Sequence, residues 1–334
     1  MGAVRPRDLL SDGMLARLGG TSEADSSGAI GNSAGERNTE TARNVTRDIA
    51  KLTSVGYLNV ALPPEFGGLG CTLRQAACGQ RRLARYAPGT AVAVSAHLYW
   101  TGAAADAYRA GDDSVRWILL EAARGAVFAS GHGEAGYDLK FADPHSRCEP
   151  SGEMGYRFRT PGVLNGVTPA WDWMAVHGVS GDRRPDTVLA FAGRGSRCTP
   201  AFRVARVLPA GAPADTFTTS AVTWGNSILA SVDYSHARRC FNDALIALDR
   251  RFDASAGHPL DQWPVAEASL RLDAMKAKIA EITHPWPLVP EQGPDLGGQR
   301  LINLYTMRHQ VTDGADHVHR LINQLNSPQP AVAL

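Results

Sequence analysis

The sequence predicts an α+β protein in three parts: an N-terminal helical bundle, a middle antiparallel β-barrel or sandwich, and a C-terminal helical bundle. Three observations predict it. Apolar residues recur at 3–4 spacing from Ala42 to Ala122, short β-branched and aromatic runs divided by turn residues fill 126–234, and 3–4 spacing returns after residue 236. At 334 residues the chain exceeds what one hydrophobic core supports, so more than one packed unit is expected. The expected segments are a flexible N-terminal segment over 1–40, helices over 41–124, strands over 125–235, helices over 236–326 and a tail over 327–334.

Residues 19–40 are small and polar and read as a flexible loop. The first helix carries Ala42, Val45, Ile49 and Leu52 on one face and stops at Gly56. A second runs from about Thr72 to Tyr86, ahead of Pro88-Gly89, and a third from about Thr90 to Arg109. The third is apolar on nearly every side, the pattern of a helix buried in the middle of a bundle. Asp112-Asp113-Ser114 supplies N-cap residues for a fourth, whose stripe is Val115, Ile118, Leu119 and Ala122. β character follows at 126–130, Tyr156–Thr160, Met174–Val179, Thr187–Phe191, Phe202–Val207 and Ile228–Tyr234. Beyond 236, Phe241, Ala244, Leu248 and Phe252 form one helical stripe, and Leu272, Met275, Ile279 and Ile282 a second. Leu301, Leu304, Val311, Ala315, Val318, Ile322 and Leu325 form a third, set apart by the Pro-rich link 285–290.

A net charge of +1 gives no general attraction to nucleic acid or anionic lipid, and no apolar run reaches membrane-spanning length. Cys71, Cys78, Cys148, Cys198 and Cys240 are scattered and never spaced Cys-x-x-Cys, which argues against a disulfide framework and for reduced thiols. With no apolar signal core after Met1, this composition predicts a cytoplasmic protein. His317 and His319 stand two apart and diverge on a helix, and His309 and His317 are eight apart, so no metal site is expected.

Val127 and Phe128 open a strand that runs into Gly131, Gly133 and Gly136. Closely spaced glycines let the backbone aim several N–H groups at one point, which suits an oxyanion, a phosphate or a polar ring edge; a plain turn between strands has the same composition. Upstream lie Gly56-Tyr57-Leu58, the turn-rich Ala61-Leu62-Pro63-Pro64-Glu65-Phe66-Gly67-Gly68-Leu69-Gly70, and His97-Leu98-Tyr99-Trp100. In this order and at this separation, across roughly 40–325, these segments resemble the acyl-CoA dehydrogenase family of flavoproteins.

That resemblance implies FAD held between the β module and the C-terminal bundle. It also implies α,β-dehydrogenation of an acyl thioester, an oxidoreductase reaction on CH–CH groups belonging to lipid metabolism. In that chemistry a carboxylate removes the α-proton while hydride passes from the β-carbon to the flavin. Against the family's flavin-edge loop, Gly131 stands where a threonine donates to the flavin, His132 at a glutamate, Gly136 at a glycine and Tyr137 at a serine. Thr168, with Trp171 and Trp173, remains on the flavin side of a segment that lacks the family's lysine. Arg251, in Arg250-Arg251-Phe252-Asp253, matches the arginine that reaches a neighbouring subunit's FAD pyrophosphate, although helix-end arginines also serve simply to complement the dipole.

The same comparison exposes departures. The expected strand Ile228–Tyr234 passes almost directly into His236, so the start of the first C-terminal helix is expected to be missing and the bundle shortened. No acidic residue matches either of the family's two base positions, and Glu267, Asp273 and Glu281 read as solvated, leaving the catalytic residue unknown. Three readings stay open: a dehydrogenase with an unidentified base, a flavin monooxygenase acting on an aromatic or amine substrate, and a catalytically degenerate subunit. The expected partners are an acyl-thioester substrate and either further copies of the chain or a complete family member in a hetero-oligomer. The 301–325 stripe is expected to lie exposed and to be covered by such a partner.

Overall fold

The computed structural model describes residues 5–18, 34–130, 147–151, 155–159, 170–181, 186–194, 202–209, 215–252, 262–284 and 296–326. Two short helices, α1 (Pro6–Leu9) and α2 (Asp12–Leu15), precede α3 (Ala34–Ser54). α3 starts inside the stretch expected as loop, because a helix nucleated on Val45, Ile49 and Leu52, all buried, extends readily through good helix formers such as Glu36, Arg37 and Glu40. Gly56, at φ 75°, turns the chain out of α3 in a conformation that favours glycine. α4 (Leu73–Tyr86) opens on a capping box, in which Thr72 Oγ1 accepts from the Gln75 N–H at 3.4 Å and Gln75 Oε1 accepts from the Thr72 N–H at 2.9 Å. α5 (Pro88–Arg109) starts at a proline and is buried along almost all its length, as its uniform apolarity predicts. Asp112 caps the turn into α6 (Arg116–Ala123), accepting from the Ser114 N–H at 2.9 Å.

The middle segment is one six-stranded sheet: β1 (Phe128–Ser130), β2 (Arg147–Ser151), β3 (Gly155–Arg159), β4 (Trp173–Ser180), β5 (Asp186–Gly193) and β6 (Phe202–Leu208). The order is β3-β2-β4-β5-β6, with β1 also on β4. The outer strands β3 and β6 come within 8 Å between Cα atoms, so the sheet rolls toward a barrel. It is mixed rather than wholly antiparallel, since both β1 and β2 run parallel to β4. The reason is local: Val127 O accepts from the N–H groups of Asp172 and Trp173, so β1 and β4 start side by side and run the same way.

Ile228–Tyr234, expected as the last strand, is instead part of a 37-residue helix, α7 (Thr216–Phe252). Ile228, Leu229, Ala230 and Val232 are all buried, and a run covered on every side looks alike in a central strand and a central helix. Its start is therefore present, twenty residues before 236. One face, Phe217, Ala221, Trp224, Ile228 and Val232, joins the core shared by α5, α6 and the sheet. Another face, with Ala230, Ala237, Phe241 and Ala244, joins a second core made with α8 (Gln262–Ile282) and α9 (Leu296–Asn326). That second core buries Leu304, Val311, Ala315, Val318 and Ile322, so the expected exposed stripe on α9 is covered within the chain. The large apolar side chains left exposed are different ones, Ile246, Trp263, Leu270 and Ile302 among them. Among the described residues no helix is long and apolar enough to cross a membrane.

α5 and α7 cross closely at Gly102, where an added Cβ would fall 2.4 Å from the Trp224 ring. In a free helix, Gly→Ala stabilises by about 1 kcal/mol. Here Gly102→Ala should instead destabilise by about 2–3 kcal/mol through overpacking, read from the denaturant midpoint. A stabilised variant would show that the crossing is loose.

Candidate functional site at the edge of strand β4

The seam between α5 and the sheet is fixed by His97, which lies on α5 and is fully buried. Its Nδ1 lies 3.2 Å from the Phe128 N–H and must accept from it, which leaves Nε2–H to donate to Leu58 O at 3.0 Å. The ring is thereby neutral, and burial lowers its pKa to about 4. One side chain thus joins α5, the turn after α3 and the first residue of β1. Trp100 packs edge-on against Phe191 at 5.1 Å, and Phe128 against the same ring at 5.5 Å, which holds β1 and β5 under α5. Burial raises the pKa of the Tyr99 hydroxyl, and Ser130, the last residue of β1, has a buried Oγ with no hydrogen-bond partner among the described residues.

β1 ends with Ser130 opposite Ala175, and β2 begins with Arg147 opposite Val179 on β4. Residues 131–146 therefore join two points about 13 Å apart, at roughly 3.3 Å per strand residue, along one edge of β4. Between those points stands His177, which strand alternation puts on the same face as Ala175 and Ser130. Burial lowers its pKa to about 4, so it too is neutral near pH 7. His177 was not among the expected residues; the signal was there in the alternation of Met174–Val179, which puts one polar ring on an otherwise apolar face.

Gly131, His132, Gly136 and Tyr137 belong to the connection that leaves Ser130, and they lie outside the described residues, as does Thr168. Arg251 occupies the last turn of α7, and its side chain also lies outside them. Trp173 opens β4 opposite Phe128, two residues before the Ala175 that pairs with Ser130, and Trp171 lies just ahead of the strand. Trp173 packs edge-on to Trp117 at 5.2 Å, and Trp171 lies under the Arg194 guanidinium at 5.2 Å. Trp173 is a core anchor, which is what an indole beside a strand start most often is.

Two polar clusters lock α7 against this seam. Asp106 on α5 accepts from Trp224 Nε1–H at 2.8 Å and from Arg109 at 3.1 Å, and burial raises its pKa. Arg206 on β6 reaches both Asp112 and Asp215; Asp215 in turn caps α7, accepting from the Thr218 N–H at 2.8 Å. From Thr216 to Val232, α7 carries no carboxylate, and the first acid on it, Asp233, is paired with Arg308 of α9. Glu267, expected to be solvated, pairs with His317 at 2.9 Å and Arg271 at 3.3 Å, whereas Asp273 and Glu281 are exposed as expected.

The structure also groups three residues that spacing within one helix could not. His319 of α9 meets His236 and Cys240 of α7, and their nitrogen and sulfur atoms all lie within 4.8 Å of one another.

Residues 31–120 match the acyl-CoA dehydrogenase N-terminal domain. No curated protein sequence matches the chain. Among solved structures, the nitrososynthase from Micromonospora carbonacea var. africana is similar at 18% identity and TM-score 0.71, over 96% of this chain and 85% of that one. KijD3, solved with FMN and dTDP-3-amino-2,3,6-trideoxy-4-keto-3-methyl-D-glucose, is similar at 19% identity and TM-score 0.67, over 86% of this chain and 79% of that one. TdsC from Paenibacillus sp. A11-2, a dibenzothiophene monooxygenase solved with FMN and indole, is similar at 14% identity and TM-score 0.61, over 86% of this chain and 82% of that one. At these identities the likeness is one of fold. Residues 31–120 thus match the family's N-terminal domain, and the helix–sheet–helix architecture of the described chain is that of the acyl-CoA dehydrogenase fold.

Proposed function

We propose that the chain is a flavin-dependent monooxygenase that uses FMN and acts on an aromatic or amine substrate, rather than an FAD-dependent α,β-dehydrogenase of acyl thioesters. The observation that carries this reading is the first half of α7, present and continuous yet without a carboxylate before Asp233, which Arg308 engages. Removal of an α-proton needs a free base within reach of the substrate, and an oxygenase does not. FMN-bound KijD3 and TdsC, which share the fold, support the choice of cofactor.

The residues at the β4 edge suit a flavin in kind. Ser130 and Tyr99 offer hydroxyls and His177 a neutral ring, all uncharged hydrogen-bonding groups beside an apolar wall, the composition of a cofactor site. Bound there, the flavin would supply oxygen activation. The chain's share would be to orient the ring with these groups and to exclude water with the Trp100, Phe128 and Phe191 cluster behind them. The exposed Trp263, Leu270 and Ile302 on α8 and α9 favour assembly with further copies of the chain.

The test is the visible spectrum of the purified protein before and after addition of FMN or FAD, with any bound flavin released and identified. Uptake of FMN in preference to FAD is expected, and His177→Ala should weaken it about tenfold, the equivalent of one hydrogen bond. A well-folded protein that takes up neither flavin would end the proposal. Reduction of bound flavin by an acyl thioester would restore the dehydrogenase reading.

A further inference from the structure

We propose that His236 and Cys240 of α7 and His319 of α9 form a binding site for a zinc-class divalent ion, which ties the two helices together. His236 and Cys240 stand one helical turn apart on the same face, with Nε2 and Sγ 3.9 Å from each other. His319 faces them from across the interface, its ring centroid 5.2 Å from that of His236. Two imidazoles and a thiolate are a zinc donor set, and bonds of about 2.0–2.1 Å to nitrogen and 2.3 Å to sulfur imply ligand separations of about 3.3–3.6 Å. The observed limit of 4.8 Å is therefore within side-chain adjustment of a tetrahedral site.

A second observation points at a ligand. Among the described residues His319 Nε2 is buried and has no hydrogen-bond partner, an unfavourable state unless something binds it. Both rings are held toward the neutral form that metal binding needs, by burial first and, for His236, by His319 and Arg239 as well. Asp233 and Asp316 add negative potential around His319, while Arg239 opposes it around His236. A thiolate ligand must shed its proton, so binding at Cys240 is accompanied by proton release. His236 is exposed, which leaves the fourth position open to water.

Cys240 packs against the core that α7 shares with α8 and α9 rather than the one it shares with α5 and the sheet, and the test of this site does not depend on any flavin. Chelator-treated, untagged protein is titrated with zinc by calorimetry and with cobalt by absorbance. One ion per chain, with Kd of about 1 μM or tighter, a thiolate-to-cobalt charge-transfer band and a higher unfolding temperature with zinc are expected. Cys240→Ser and His319→Ala should each abolish the band and the thermal shift. Each should also weaken binding by more than the ~10–100-fold that outer-shell changes cost. His236→Gln, at an exposed position, provides a variant whose folding is not in question and should weaken binding in the same way. Absence of saturable binding, cobalt binding without the thiolate band, or unchanged affinity in Cys240→Ser or His236→Gln would each overturn the proposal.

Discussion

Replacing Arg206 with leucine should destabilise the protein by about 3 kcal/mol, the lower end of the range for breaking one side of a buried ion pair. Arg206 is 11% exposed, and its guanidinium binds both Asp112 and Asp215. It also donates to Ser114 Oγ at 2.7 Å and lies 5.1 Å from the Phe217 ring centre. The two aspartates do more than balance its charge. Asp112 caps the turn into α6 and Asp215 caps α7, so one side chain on β6 fixes where two helices begin. Because each carboxylate is about one-third exposed, water offsets part of the loss, which is why the lower end of the range applies. Arg206→Lys should recover only part of it, since an ammonium cannot hold two carboxylates with a planar fork. Urea unfolding of the three proteins checks this. A loss below about 1 kcal/mol in Arg206→Leu would reduce the cluster to an ordinary surface network.

Stability should also fall as pH drops from about 6.5 to about 4, with His97 the largest identifiable source. In the unfolded chain this ring takes up a proton near 6.5, while in the fold burial keeps it neutral down to about 4. Over that interval the unfolded state binds more protons, so acid favours unfolding; below about 4 both states are protonated and the effect levels off. For a ring only 1% exposed, the shift corresponds to about 3 kcal/mol at 1.36 kcal/mol per unit. His177 should contribute in the same direction over the same interval. His97→Ala should remove one proton from the pH dependence. It should also cost about 2–4 kcal/mol at neutral pH, because the Phe128 N–H and Leu58 O lose their buried partner. Chemical unfolding at a series of pH values reads both effects. An unchanged slope in the variant would place the titration elsewhere.

How much of the protein was legible in its residues differs from one element to the next. α4, α5 and the turn into α6 follow from Thr72, Pro88 and Asp112, whose capping chemistry acts within one turn of chain. Strands β3 to β6 follow from local runs of β-branched and aromatic residues. The 228–234 run does not, because burial on every side erases the period that tells helix from strand. β2 was not expected either: Arg147-Cys-Glu-Pro-Ser is a poor strand by propensity, and its pairing with β3 and β4 supplies the order.

Local chemistry by itself determined the helix–sheet–helix layout, the turns that set off α4, α5 and α6, and the family resemblance, since these depend on neighbours within a few residues. Only the tertiary structure decided that α7 belongs to two cores, that His97 staples three segments and that His236, Cys240 and His319 meet. Those depend on side chains brought together from distant parts of the chain, and such contacts leave no periodic trace in the sequence.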